Sequence, residues 1–296
     1  MVNDRHGRTN AMTISGVTAV SKPQFVTPDI GWMSDVRSLY RTVDGGNSWQ
    51  RVEIPDQTDV RSVYFSDVKN GWAGGWDGEI YRTADAGQTW NKQQSGLDYQ
   101  IQEIFFVDAV HGWATGYICY PDLRRMTALI KTSDGGETWE ILSNEDADSK
   151  RAVHSVFFVN ENKGWAIDNW QNNIMHSVDG GKTWTMQRRR DDHGWNSLVF
   201  VNDREGWAVG DDGIVHTSDG GESWKYQLQY RGAEDYMDAI AFTDSEQGWA
   251  IGRNSILRTT DGWLVWKTIP EDWKRQIPTF QELLKENSLG TARNRR

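Results

Sequence analysis

Apolar and polar residues alternate along most of the chain in runs of four to eight, the period of a half-buried strand. Residues 60–94 hold four such runs. Val-Arg-Ser-Val-Tyr-Phe, Gly-Trp-Ala-Gly-Gly-Trp, Glu-Ile-Tyr-Arg-Thr and Thr-Trp-Asn-Lys-Gln-Gln follow one another, rich in β-branched and aromatic residues and broken by Gly and Asp. In the first run Val63 and Phe65 share one face. The pattern predicts four short antiparallel strands, here lettered a to d.

The same unit recurs. Gly-Trp-Ala, or Gly-Trp-Met in the first copy, places Trp at 32, 72, 113, 165, 207 and 249, and seven residues earlier stands Phe25, Phe65, Phe106, Phe158, Phe200 or Phe242. A second signature, Ser/Thr-x-Asp-x-Gly-x-x-Trp, follows with Asp44, Asp85, Asp134, Asp179, Asp219 and Asp261; the sixth copy carries Trp263 in place of its second Gly. A fixed period of about forty residues with four strands per unit predicts a propeller, in which twisted blades bury both faces of each sheet. The fold expected is all-β: a six-bladed β-propeller of four-stranded antiparallel blades over 13–270. A seventh blade assembled from the two termini is the alternative.

The Asp turn has a mechanical reading. Asp accepts hydrogen bonds from the backbone of its own turn, Gly supplies positive φ, and the closing Trp packs between strands. The six Asp residues are therefore read as structural.

Composition narrows the function. The chain has 296 residues, 17 Trp, 29 Gly and a formal net charge of −10 without a long basic run, which argues against nucleic acid. Its single Cys, Cys119, leaves no intramolecular disulfide and no zinc motif. No apolar run is long enough for a membrane span, and the polar N-terminus lacks a secretory core. The expectation is a cytoplasmic protein, or one exported with a leader that has been removed. No cofactor and no metal are expected.

The Asp turn resembles the Asp-box, or BNR repeat, of sialidases, sortilin-type receptors and related propellers. The whole repeat, as in Phe-Val-Asn-Asp-Arg-Glu-Gly-Trp-Ala-Val-Gly followed by Thr-Ser-Asp-Gly-Gly-Glu-Ser-Trp from Phe200 to Trp224, is similar to the photosystem II stability/assembly factor family over about residues 25–270. That resemblance implies an assembly chaperone binding membrane-protein precursors. Six copies differ from the seven blades associated with its photosynthetic members.

If the Asp turns join c to d on one face, the b–c and d–a connections form the other, where ligands of such propellers approach. From the Gly-Trp Trp to the Asp the spacing is 12, 13, 21, 14, 12 and 12 residues, so the third b–c connection carries an insertion of about eight, with Tyr117, Tyr120, Arg124 and Arg125. The d–a connections bring Arg188, Arg189, Arg190 and Trp195, then Arg231 and Tyr236. Trp76 and Trp170 stand on other b–c connections. Arg, Tyr and Trp are the types enriched at interface hot spots, so these twelve are the candidate partner-binding residues; solvated loops with locally packed aromatics are the plainer reading.

Catalysis is weakly supported. A sialidase-like hydrolase needs an arginine clamp and a Tyr–Glu pair. The first-blade Arg-Ile-Pro of those enzymes is absent, with Val36-Arg37-Ser38 in that region, and Glu234 and Tyr236 stand only two apart in one loop. Asp211-Asp212-Gly213 reads as a hairpin turn. The function expected is a non-enzymatic protein-binding scaffold: an assembly or stability factor, or a subunit of a larger complex. A carbohydrate-active or glycan-binding Asp-box propeller is the alternative.

The ends differ from the repeats. Residues 1–12 read as disordered, and 13–20 as an extra strand helping to close the ring. Residues 271–296 read as an extension with a short helix capped by Thr279 and Glu282, ended by Gly290 and followed by a basic tail.

Overall fold

The computed structural model describes residues 24–268, apart from 28, 35–37, 58, 120–124, 143–152, 169–171, 190–193, 212, 230–236, 243–244, 247, 253–254 and 262–264. The expected N-terminal disorder, the strand at 13–20 and the C-terminal helix lie outside these residues.

Six four-stranded antiparallel sheets follow one another along the chain, each ordered a-b-c-d without crossover. They are blades 1 to 6, spanning 24–52, 60–93, 101–141, 153–188, 195–229 and 237–268. Blade 2 shows the plan: a is Val60–Phe65, b is Gly71–Gly75, c is Ile80–Thr83 and d is Asn91–Gln93. From blade 2 to blade 6, each a strand packs against the a strand of the next blade, so the a strands are innermost. The b strands of blades 2, 4 and 5 are buried throughout, whereas d strands are largely exposed. This gradient explains why the Gly-Trp-Ala of strand b is the most regular part of the repeat.

In blades 2 to 6 the Phe of strand a holds the blade to its neighbours. Its ring lies over the Gly before the Trp of strand b: a Cβ at Gly71 or Gly112 would come within 2.4 Å of the Phe65 or Phe106 ring. Its edge meets the Asp-turn Trp of the same blade, as in Phe65–Trp90, Phe106–Trp139 and Phe200–Trp224, with centroids 5.8–6.1 Å apart. Its face stacks on the Gly-Trp Trp of the preceding blade. Trp32–Phe65, Trp72–Phe106, Trp113–Phe158, Trp165–Phe200 and Trp207–Phe242 all stack at 3.5–3.7 Å. In several blades the opposite face of that Trp is covered by its cross-strand partner on c: Arg41, Lys131, His176 and His216 lie 4.9–5.6 Å from the rings of Trp32, Trp113, Trp165 and Trp207. The indole N–H of Trp72, Trp113 and Trp165 donates to the carbonyl of Gly135, Gly180 and Gly220 in the next blade.

The Asp turns join c to d as the sequence predicts. In blade 3, Asp134 accepts from the Thr132 hydroxyl at 2.7 Å and from the backbone N–H and hydroxyl of Thr138 at 2.9 and 2.6 Å. Asp44, Asp85, Asp179 and Asp219 repeat this set, and Asp261 keeps its Thr259 and Val265 backbone bonds. Both carboxylate oxygens are thus engaged within one turn in five blades. In blades 1, 3, 4 and 5 the first Gly of the turn takes positive φ, as at Gly135 (76°) and Gly220 (76°); in blade 2 that position is Ala86, at 65°.

Candidate partner-binding face

Strand a runs toward the Asp-turn face and b runs back, so the b–c and d–a connections share the opposite face. Three features raise chemistry there. The first is the insertion of blade 3. Strands b and c elsewhere have four or five residues, but here they are Gly112–Cys119 and Arg125–Thr132, paired from Gly112↔Thr132 to Cys119↔Arg125. The insertion continues the ladder rather than forming a loop. Three additional residues per strand carry it about 10 Å beyond its neighbours at the usual strand rise.

The second is a bulge near the start of strand a. Val60 and Ser62 face the adjacent residues Gly75 and Gly74, leaving Arg61 unpaired in the ladder. Gln102, Asn196 and Asp238 are skipped in the same way. A bulge re-aims its side chain out of the ladder, and this one does so at the same face in four blades. The sequence reading missed these residues, because a bulge leaves the apolar pattern around it unchanged.

The third is what these elements bring together. Trp76, after strand b of blade 2, meets Tyr99 of the next d–a connection edge-on at 6.4 Å, and Tyr99 meets Tyr117 of the extended hairpin at 6.2 Å. Gln102 Nε2 donates to the Tyr117 hydroxyl at 2.8 Å, and the exposed Arg61 lies over the Trp76 ring at 5.3 Å. The three aromatics are half-buried. The arrangement is a row of aromatic edges with a guanidinium beside it, able to take apolar side chains and an acidic or carbonyl group of an extended partner.

Of the predicted residues, Trp76 and Tyr117 belong to this cluster. Arg188, on strand d of blade 4, is half-buried over Trp195 at 5.5 Å and Tyr226 at 5.1 Å, and donates to the Trp224 carbonyl at 3.4 Å. Trp195 is 2% exposed and packs among Ile167, Leu198 and Ala208, so it is core and not surface. Its position explains why: it is the first apolar residue of an a strand, equivalent to Val60 and Ile101. Arg189 is exposed. Tyr120, Arg124, Trp170, Arg190, Arg231 and Tyr236 lie outside the described residues, as do the side chains of Arg125 and Cys119. Tyr99, Arg61 and Gln102 were not predicted.

The Asp-turn acids offer little to chemistry. The Ser48 hydroxyl and N–H hold Asp44 down at about 2, and Thr89 and Ser223 do the same for Asp85 and Asp219. At Asp134 partial burial opposes this, and the bonds from Thr138 prevail, again to about 2. On the second face, Gly210 pairs with Gly213 at the b–c end of blade 5, and Asp212 lies outside the described residues. Among the described residues no group of three or more His, Cys, Asp or Glu is placed to hold a metal ion, and no helix is long and apolar enough to cross a membrane.

With this geometry in view, the likenesses to known proteins fall into place. The family described as photosynthesis system II assembly factor YCF48 matches residues 42–147, 96–188 and 144–231, together well over half of the chain. The chain belongs to this family. No curated protein matches the sequence. Among solved structures, YCF48 bound to a D1 peptide is 21% identical with a TM-score of 0.66, covering 85% of this chain and 81% of its own. YCF48 from Cyanidioschyzon merolae is 20% identical with a TM-score of 0.64, covering 86% of each chain. An ancestral GH74 enzyme is 12% identical with a TM-score of 0.56, covering 82% of this chain but 39% of its own. At these identities the structural likenesses speak to the fold alone.

Proposed function

We propose that this YCF48-family propeller is a non-enzymatic assembly or stability factor, or a subunit of a larger complex, that holds an extended segment of a protein partner on its b–c/d–a face. The partner class is a membrane-protein or multi-subunit complex component. The observation that carries the reading is the cluster of Trp76, Tyr99 and Tyr117 with Arg61: four side chains of interface-enriched types, from two adjacent blades and the connection between them, on the face opposite the Asp turns. The solved YCF48 with a D1 peptide supports a peptide as the ligand class. The Asp turns favour a scaffold over an enzyme, since their carboxylates are engaged within their own turns.

The test is a titration of a labelled D1 peptide with the full chain, the double variant Trp76→Ala/Tyr117→Ala, and Arg61→Ala. Loss of two aromatic anchors weakens binding about tenfold or more, and Arg61→Ala weakens it with a reduced salt dependence. Equal affinity for wild type and both variants would move the site elsewhere. A wild-type chain that binds no D1 peptide and retains no protein from a native lysate would overturn the scaffold reading.

A further inference from the structure

Five junctions between blades are closed by the same Trp–Phe stack, and the array ends on two rings that lack it among the described residues. Trp249, the Gly-Trp residue of blade 6, is half-buried, whereas Trp32, Trp72, Trp113, Trp165 and Trp207 are all 0% exposed. Arg258 covers one of its faces at 5.3 Å, as Arg41 covers Trp32, and among the described residues no ring stacks on the other. At the opposite end, Phe25 keeps the edge contact with its own Asp-turn residue, Trp49, at 6.1 Å, yet it is 44% exposed. Phe25 therefore does not close the sixth junction.

The chain carries a fitting occupant. At four of the five other junctions strand a begins seven or eight residues after the preceding strand d: Val60 after Val52, Ile101 after Gln93, Trp195 after Arg188, Met237 after Gln229; at the fifth, Val153 follows Ile141 by twelve. Counting seven from Thr268, the end of strand d in blade 6, gives Arg275-Gln276-Ile277-Pro278-Thr279-Phe280. Its sixth residue is Phe, as in Val60–Phe65 and Ile101–Phe106. Pro278 stands two before Phe280, as Pro23 stands two before Phe25. A proline and a polar first residue, Arg275, suit a strand with no further strand paired to it. We propose that the open face of Trp249 docks residues 275–280 of this same chain, with the Phe280 ring in the stacking place that Phe65, Phe106, Phe158, Phe200 and Phe242 take at the other junctions. This segment acts as a clasp on the last blade, whatever partner the propeller binds.

A photo-cross-linker, p-benzoylphenylalanine, placed at position 280 of the full chain tests this directly. Irradiation is followed by mass spectrometry of the separated monomeric and dimeric fractions, with hydrogen exchange on wild type, Phe280→Ala and Phe280→Tyr beside it. The expected results are an intrachain link to the peptide holding 248–259 and amide exchange in 248–252 that quickens about tenfold in Phe280→Ala. Phe280→Tyr retains wild-type protection, and exchange in 112–119 stays unchanged as the folding control. A link only between two chains would make the Trp249 face an interface between copies and overturn the proposal. A link to another part of the chain, or unaltered exchange in 248–252, would overturn it as well. If Phe280→Ala fails to fold, the cross-link together with Phe280→Tyr decides.

Discussion

Phe158 meets two aromatic neighbours and a glycine in one place: Trp113 of the preceding blade at 3.7 Å, Trp184 of its own blade at 5.9 Å, and the bare Cα of Gly164. Truncating such a ring leaves a cavity between two blades. Phe158→Ala is expected to cost about 3–5 kcal/mol in urea unfolding. A loss below about 1 kcal/mol would contradict the stacking account. At Ala86 the direction reverses. Its φ of 65° is one that an L side chain adopts at a cost of about 1 kcal/mol, and the first-position glycines Gly45, Gly135, Gly180 and Gly220 hold similar angles in other turns. Ala86→Gly therefore raises the unfolding free energy by up to about 1 kcal/mol, seen as a raised urea midpoint, and a lowered midpoint would show that the extra freedom of glycine in the unfolded chain wins. The Asp turns set the response to acid. Asp44, Asp85, Asp134 and Asp219 sit at about 2 in the fold against an ordinary 3.8, so the folded state favours their charged form. Their contribution is whole above about pH 4 and is lost as pH falls toward 2. Thermal midpoints should drop across that window, and Asp134→Asn should lower the midpoint at neutral pH while making the acid slope shallower.

Among the elements, the extended hairpin of blade 3 is separable from the blades. Its base pairs continue the ladder of Gly112–Cys119 with Arg125–Thr132, while the blade core below, Ile104, Phe106, Ala114 and Ile130, is complete without the tip. Deleting 117–127 and joining the ends with a short turn is expected to leave the thermal midpoint near that of wild type and to abolish partner retention. A collapsed midpoint would make the hairpin structural. The blades themselves were legible in the sequence, because each apolar alternation, Gly-Trp pair and Asp turn recurs at a fixed offset and reports one local packing event. The site was legible only in part. Insertion length exposed the hairpin, and residue type exposed Trp76 and Tyr117. But Arg61 and Gln102 owe their place to bulges, which leave no mark on the period, and Tyr99 becomes part of the cluster only when two blades meet. Trp195 misled for the converse reason: an aromatic beside an arginine run looks like surface, yet the a-strand period places it in the core.

For the molecule as a whole, the two faces have different work. The Asp-turn face locks each blade internally and links neighbours through Trp72, Trp113 and Trp165 N–H bonds to the next turn. The opposite face varies from blade to blade, with one long hairpin, an aromatic row and bulged polar residues. A repeat fold can diversify one face in this way while the other keeps the array together. The measurement that bears most directly on this division is capture of partners from a native lysate by three forms of the full chain, with mass spectrometry as the readout. These are wild type, a second-face variant (Arg61→Ala/Trp76→Ala/Tyr117→Ala) and an Asp-turn-face variant (Lys69→Glu/Asp203→Lys), each first shown to be folded. The account predicts that one protein or complex is retained by wild type and by the Asp-turn-face variant and is lost from the second-face variant. Retention by the second-face variant, with loss from the Asp-turn-face variant, would contradict it.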